Sequence, residues 1–167
     1  IYNSAEMSLP EVLQAMQQAE GDGLETVRLH TGDQSIYGAV REQMDALDSL
    51  GIAWDDTPGV SSFCGAAAAL GAEYTLPGIS QTVIITRLAG RTPVPEREAL
   101  QKLAAHGASM AIFLSSGMLP GVQQALLAGG AYTADTPAAL VYKATGPEEK
   151  IVHCRLGELA QAGSRAG

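Results

Sequence analysis

Two short stretches carry residue types suited to holding a ligand, and a third carries types suited to reading its charge. In "RLHTGDQSIYG", residues 28–38, an apolar run (Leu24, Val27, Leu29) leads into Thr31, Gly32 and Asp33 before a helical pattern opens at about Tyr37. Glycine permits positive φ and close approach of the backbone to a ligand. Asp33 can accept hydrogen bonds or cap the next helix. In "DDTPGVSSF" a Pro58–Gly59 turn precedes Ser61 and Ser62, either of which can cap the small-residue helix "CGAAAALG". A single such turn is explained by capping alone. Two of them at the ends of consecutive strands leave a ligand pocket and a pair of capped turns as the two explanations, with the chemistry open.

The third stretch, "TRLAGRTPVPER", holds Arg87, Arg91 and Arg97 against Glu96 alone. Guanidinium forks bind planar oxyanions bidentately, so this basic island is either a reader of carboxylates or phosphates or a solvated loop. The histidines offer less. His30 and His106 read as structural, and His153 beside Cys154 lacks the further ligands that a metal site needs. No metal is expected. Met7, Met44 and Met118 read as core or surface filling.

These residues need elements to position them. The 167-residue chain, 46% hydrophobic with few aromatics and abundant Ala and Gly, can bury a core built from helices packed closely on sheets. A helix over 9–18, a strand over 26–29, a helix over 37–50 and a short strand over 52–54 precede the small-residue helix. After the connector "EYTLPGIS" comes a second series: strand "TVIIT", a helix over 97–105, strand "SMAIFL", a helix over 119–127, strand "AALVY", the pair "KIVHC" and the closing helix "LGELAQA". This alternation indicates an α/β fold of βαβ units and largely parallel sheets, in two lobes, 1–78 and 79–167, that meet near residues 77–80.

The formal charge of −8 is unevenly spread: residues 1–80 hold 2 basic and 12 acidic residues, a net −10, and residues 81–167 hold 8 basic and 6 acidic, a net +2. Such a split suggests lobes that face different partners. An acidic chain without interleaved aromatics lacks the footprint of a nucleic-acid binder. No run approaches the ~18 apolar residues of a membrane span, and no leader is visible. Cys64 and Cys154 follow no recognisable spacing. The expectation is a cytoplasmic protein with reduced thiols. Because no strand precedes the first helix, the N-terminal lobe is expected to be partial, its opening βαβ unit missing.

The blocks "VRLHTGDQSIYGAVREQMDAL", "TPGVSSFCGAAAALG", "TLPGISQTVIITRLAGRTPVPE", "HGASMAIFLS" and "TPAALVYKAT" together resemble the tetrapyrrole methylase family over essentially the whole chain. "SQTVIITRLAGRTPVPE" is the specific part and points, within the family, to enzymes that methylate precorrin-4 or its cobalt form at carbon 11 in cobalamin biosynthesis. The resemblance implies two αβα lobes, S-adenosylmethionine as methyl donor in the cleft between them, an anionic corrin precursor as substrate, and a homodimer. Position by position it places cofactor contacts on Thr31, Gly32, Asp33, Ile36, Ser61, Ser62, Ser115 and Ala144. The corrin's carboxylates favour the functional reading of Arg87 and Arg91. The family's usual Gly-Asp-Pro is Gly32-Asp33-Gln34 here, so the turn loses a fixed φ but keeps its backbone contacts. Its glycine-proline-glycine-aspartate loop, one wall of the cleft, is absent.

A sulfonium methyl needs an in-line carbon nucleophile at close range, so positioning supplies most of the catalysis and no catalytic side chain is assigned. Two alternatives stay open. One is a methyltransferase of the same superfamily with another acceptor, such as uroporphyrinogen; the other is a non-catalytic fragment that binds the cofactor or forms a dimer.

Overall fold

The computed structural model describes residues 1–166, and the chain divides into two compact units, Ile1–Ser62 and Phe63–Gly167. In the first unit, α1 (Leu9–Gly21) opens on a capping box. Ser8 donates its backbone N–H and its hydroxyl to the Glu11 carboxylate at 2.7 and 2.6 Å, with Pro10 in the first turn. Residues 24–30 then lead without regular secondary structure to the Thr31 turn. Helix α2 (Arg41–Leu50) packs against α1 and stops at Gly51, whose φ of 70° is the left-handed cap that glycine adopts without strain.

Three local expectations change in this unit. Residues 26–29 and 52–54, expected as strands, have no regular secondary structure and form no ladder with any described residue, and Val27 and Leu29 are 74% and 87% exposed. An apolar run becomes a strand only when a neighbouring backbone takes up its N–H and C=O groups. The helix expected from Tyr37 begins at Arg41, because Tyr37 and Ala39 sit at φ of 60° and 51°, outside helical geometry.

The second unit is the α/β part. Helix α3 (Ser62–Leu70), whose first residue closes the first unit, ends at Gly71, and the chain reverses through the Leu76–Ser80 bridge. Strands β1 (Val83–Arg87) and β2 (Ser109–Phe113) pair in parallel, Val83 opposite Ser109 and Arg87 opposite Phe113. The crossover between them carries α4 (Leu100–Ala104), shorter than the expected 97–105 because a 3-10 turn takes Glu96–Glu98. Helix α5 (Leu119–Ala128) follows; then β3 (Pro137–Tyr142) pairs with β4 (Lys150–Arg155), and α6 (Leu159–Ala166) closes the chain.

The β3–β4 pair is antiparallel, against the expectation of largely parallel sheets. Residues 143–149 form a hairpin connection, and a parallel return needs a crossover of roughly a dozen residues or more. Leu100, Ala104, Val122, Leu126, Leu156 and Leu159 form the core of this unit, with Met110, Ile112 and Leu140 packed against it. Burying each such leucine contributes about 1.5–3 kcal/mol. The strand ends that carry the site residues are therefore held on a packed base.

Candidate functional site

The Thr31 turn is built by Asp33. Its carboxylate accepts hydrogen bonds from the Ser35 N–H (2.9 Å), the Ser35 hydroxyl and the Gly59 N–H (2.9 Å), while the Ile36 N–H returns to the Asp33 carbonyl at 3.3 Å. The Ser35 hydroxyl, then the Ser35 and Gly59 amides, hold the Asp33 carboxyl below its ordinary value of 3.8. The sign follows from that depression. The turn's stabilisation is fully present above the ordinary value and is lost as pH falls through the lowered one.

Two neighbours fasten this turn to the Pro58–Gly59 loop. Gln34, only 9% exposed, donates its side-chain amide to the Asp56 carboxylate and to the Thr57 carbonyl at 2.8 Å. Gly59 lies so near Gly32 that a Cβ there would collide with the Gly32 carbonyl oxygen. Gly32 itself, at φ 71°, faces the second loop: a Cβ on it would stand 3.5 Å from the Ser62 N and 3.7 Å from the Ser61 Cα. The structure thus brings Gly32, Asp33, Ser61 and Ser62 together as two interlocked turns. Thr31 is exposed at their rim, Ile36 is half-buried, and Ser62 opens α3 with an exposed side chain.

In the second unit Ser115, 3% exposed, follows the end of β2. Its hydroxyl donates to the Phe113 carbonyl (2.7 Å) and accepts from the Leu88 N–H (3.0 Å), so it ties the carboxyl ends of β1 and β2 together. Ala144 sits in the loop after β3, its Cβ 3.5 Å from where a Cβ on Gly65 of α3 would be. Arg87 closes β1 with its guanidinium bonded to loop carbonyls, and Arg91 is exposed in the loop beyond.

Backbone strain marks the same places. Among the described residues, the non-glycine ones at positive φ are Tyr37, Ala39, Leu114, Lys143 and Thr145. Tyr37 follows Ile36, Leu114 precedes Ser115, and Lys143 and Thr145 flank Ala144. Such conformations cost about 1–2 kcal/mol per residue, and they cluster at ligand sites. Sequence reasoning did not find the interlock of Gly59 with Gly32 or the tie from Gln34. The only local signals were the Pro58–Gly59 dipeptide and an amide in place of a proline.

Elsewhere an open hollow of about 330 Å³ between β4 and α6 is lined by His153, Cys154, Glu158, Gln161 and Arg165, none of them a site residue named above. Burial pushes the Cys154 thiol up, as does the nearby Glu158 charge, so it stays protonated. Among the described residues no group of three or more His, Cys, Asp or Glu side chains is arranged to hold a metal ion. No helix among them is long and apolar enough to cross a membrane.

The chain has clear relatives. The family model for tetrapyrrole (corrin/porphyrin) methylases matches residues 1–160. The cobalt-precorrin-4 C(11)-methyltransferase of Methanocaldococcus jannaschii is 50% identical over 167 residues, which are all of this chain and 64% of that protein. The enzyme of the same name from Priestia megaterium is 44% identical over 97% of this chain and 62% of its own length. The X-ray structure of a cobalamin biosynthetic enzyme, cobalt precorrin-4 methyltransferase, superposes with a TM-score of 0.94 at 44% identity, covering 98% of this chain and 68% of that one. The uroporphyrin-III C-methyltransferase of Thermus thermophilus, complexed with S-adenyl homocysteine, shares the fold at a TM-score of 0.75 and 22% identity, over 92% of this chain and 67% of its own. The chain therefore spans a little under two thirds of the length of these two curated relatives.

Proposed function

Because this chain belongs to the tetrapyrrole (corrin/porphyrin) methylase family, we propose that it is the greater part of an S-adenosylmethionine-dependent methyltransferase acting on carbon 11 of precorrin-4 or its cobalt form in cobalamin biosynthesis. The protein works as a cytoplasmic homodimer of two-lobed subunits, with lobes at 1–78 and 79–167. The observation that supports the reading is strained backbone directly beside Ile36 in the first unit and, separately, beside Ser115 and Ala144 in the second, three of the positions the family resemblance assigns to the cofactor.

The residues present fit that cofactor. Gly32 presents bare backbone, Asp33 spends its carboxylate on holding the turn, and the amino end of α3 lies beside it. Contact is then made by backbone groups of residues 31–33, with Ile36 as apolar cover and with Ser61 and Ser62 at the head of α3, where amides suit a carboxylate. Ser115 and Ala144 contribute through the strained backbone around them, since the Ser115 hydroxyl is already engaged on both sides. S-adenosylmethionine, when bound, supplies an electrophilic sulfonium methyl. The chain's part is to bind, orient and exclude water, while the arginine loop meets the acidic precursor.

The test is methyl transfer by the full-length protein from carbon-13-labelled S-adenosylmethionine to metal-free and to cobalt-loaded precorrin-4. NMR should place the label on carbon 11. A label at another carbon, or transfer to uroporphyrinogen alone, would overturn the assignment.

A further inference from the structure

Arg87 and Arg91 lie four residues apart in one loop yet meet opposite surroundings. Arg87, half-buried at the end of β1, folds its guanidinium back onto its own loop: one terminal nitrogen donates to the carbonyls of Thr92 (3.1 Å) and, more weakly, Leu88 (3.4 Å), the other to that of Pro93 (2.7 Å). The loop is fastened at other points as well. Ser115 takes the Leu88 N–H, the Gly90 N–H donates to the Thr92 carbonyl at 3.3 Å, and Gly90 leaves room for Met118, whose Cε lies 3.2 Å from where a Cβ would be. Arg91 is exposed and forms no ion pair with any described residue. The nearby acids are occupied: Glu96 pairs with Lys102 and Glu98 with Arg97.

We propose that Arg87 is a positioning residue, holding residues 88–93 in the shape that offers the unpaired Arg91 guanidinium to a carboxylate of the substrate. The proposal rests on the methyltransferase reading above and divides the work between two arginines. A planar fork holds the Thr92 and Pro93 carbonyls from two separate nitrogens in fixed geometry, whereas a lysine must serve both from one ammonium on a flexible stem and fixes the loop less rigidly. Arg91 has its charge and fork exposed to solvent, whereas both terminal nitrogens of Arg87 are engaged on carbonyls of its own loop.

The experiment compares Arg87→Lys, Arg91→Ala and the double variant in the full-length enzyme. It reads kcat and KM for precorrin-4, affinity for S-adenosylhomocysteine by calorimetry, and hydrogen exchange across residues 88–93. Each single variant should raise KM by about tenfold with kcat and cofactor affinity little changed. In the Arg87→Lys background, Arg91→Ala should add less than about twofold, because the contact is already misplaced. Exchange should quicken in Arg87→Lys and stay unchanged in Arg91→Ala. Multiplicative effects on KM, an unchanged exchange rate in Arg87→Lys, or an Arg91→Ala enzyme with wild-type KM would each overturn the proposal. A wild-type enzyme inert toward the precursor would instead sink the functional reading, and the exchange contrast would still show whether Arg87 holds the loop.

Discussion

At the scale of single residues, the interlocked turns make two glycines unequal. Gly32 is needed for its φ of 71°, since a Cβ there would find only ordinary contacts at 3.5 Å and beyond. Gly32→Ala should therefore cost about 1–2 kcal/mol, the price of a left-handed alanine. Gly59 is needed for space, because a Cβ there would drive into the Gly32 carbonyl and part the two turns. Gly59→Ala should lower the urea midpoint further than Gly32→Ala and reduce cofactor affinity by at least tenfold. Equal effects in parallel denaturation and calorimetry would mean that the turns are not interlocked. In the sequence, "TPGVSS" shows that a turn is present, and nothing in it shows that the turn rests on a carbonyl 27 positions earlier.

At the scale of elements, the ends of β2 and β3 combine a packed strand with a kinked exit. Leu114 is 70% exposed at φ 52°, so its side chain gains little from burial while its backbone is strained. Glycine removes a strain of about 1–2 kcal/mol but adds about 0.5–1 kcal/mol of unfolded-state entropy. Leu114→Gly should leave stability unchanged or raised by up to about 1.5 kcal/mol, while binding of S-adenosylhomocysteine weakens several-fold as the exit before Ser115 loosens. Denaturation paired with calorimetry checks both halves. Undiminished binding would show that the kink serves packing rather than the ligand. The strands were legible from the apolar runs "TVIIT" and "SMAIFL". The kinks were not, because leucine and lysine carry no local preference for positive φ.

For the molecule as a whole, residues 1–80 carry net −10 and residues 81–167 net +2, so on the proposed function an acidic substrate is drawn to the basic residues of the second half. Exposed charges act over a Debye length of about 10 Å at 0.1 M salt and about 3 Å at 1 M. Raising the salt from about 0.05 to 0.5 M should therefore increase KM for the precursor several-fold and change cofactor affinity little. A KM indifferent to salt would remove the exposed arginines from substrate recognition. The family was legible at this scale because its blocks run along the whole chain. The number of strands was not, since residues 26–29 and 52–54 carry apolar runs that suggest strands but form no ladder with any described residue.

The sequence by itself determined the family, the α/β class, the order of elements after residue 80, and the two turns with their glycine, aspartate and serine residues. All of these rest on patterns that span a few residues or recur along the chain. Only the tertiary structure decided that β3 and β4 run antiparallel, that Gln34 reaches Asp56 and Asp33 reaches Gly59, and that Arg87 bonds its own loop while Arg91 stays exposed. The reason is physical. A backbone or side-chain hydrogen-bonding group takes whatever partner the packed chain brings within about 3 Å. For Gln34 and Asp33 those partners lie 22 and 26 positions away, beyond the reach of any local pattern.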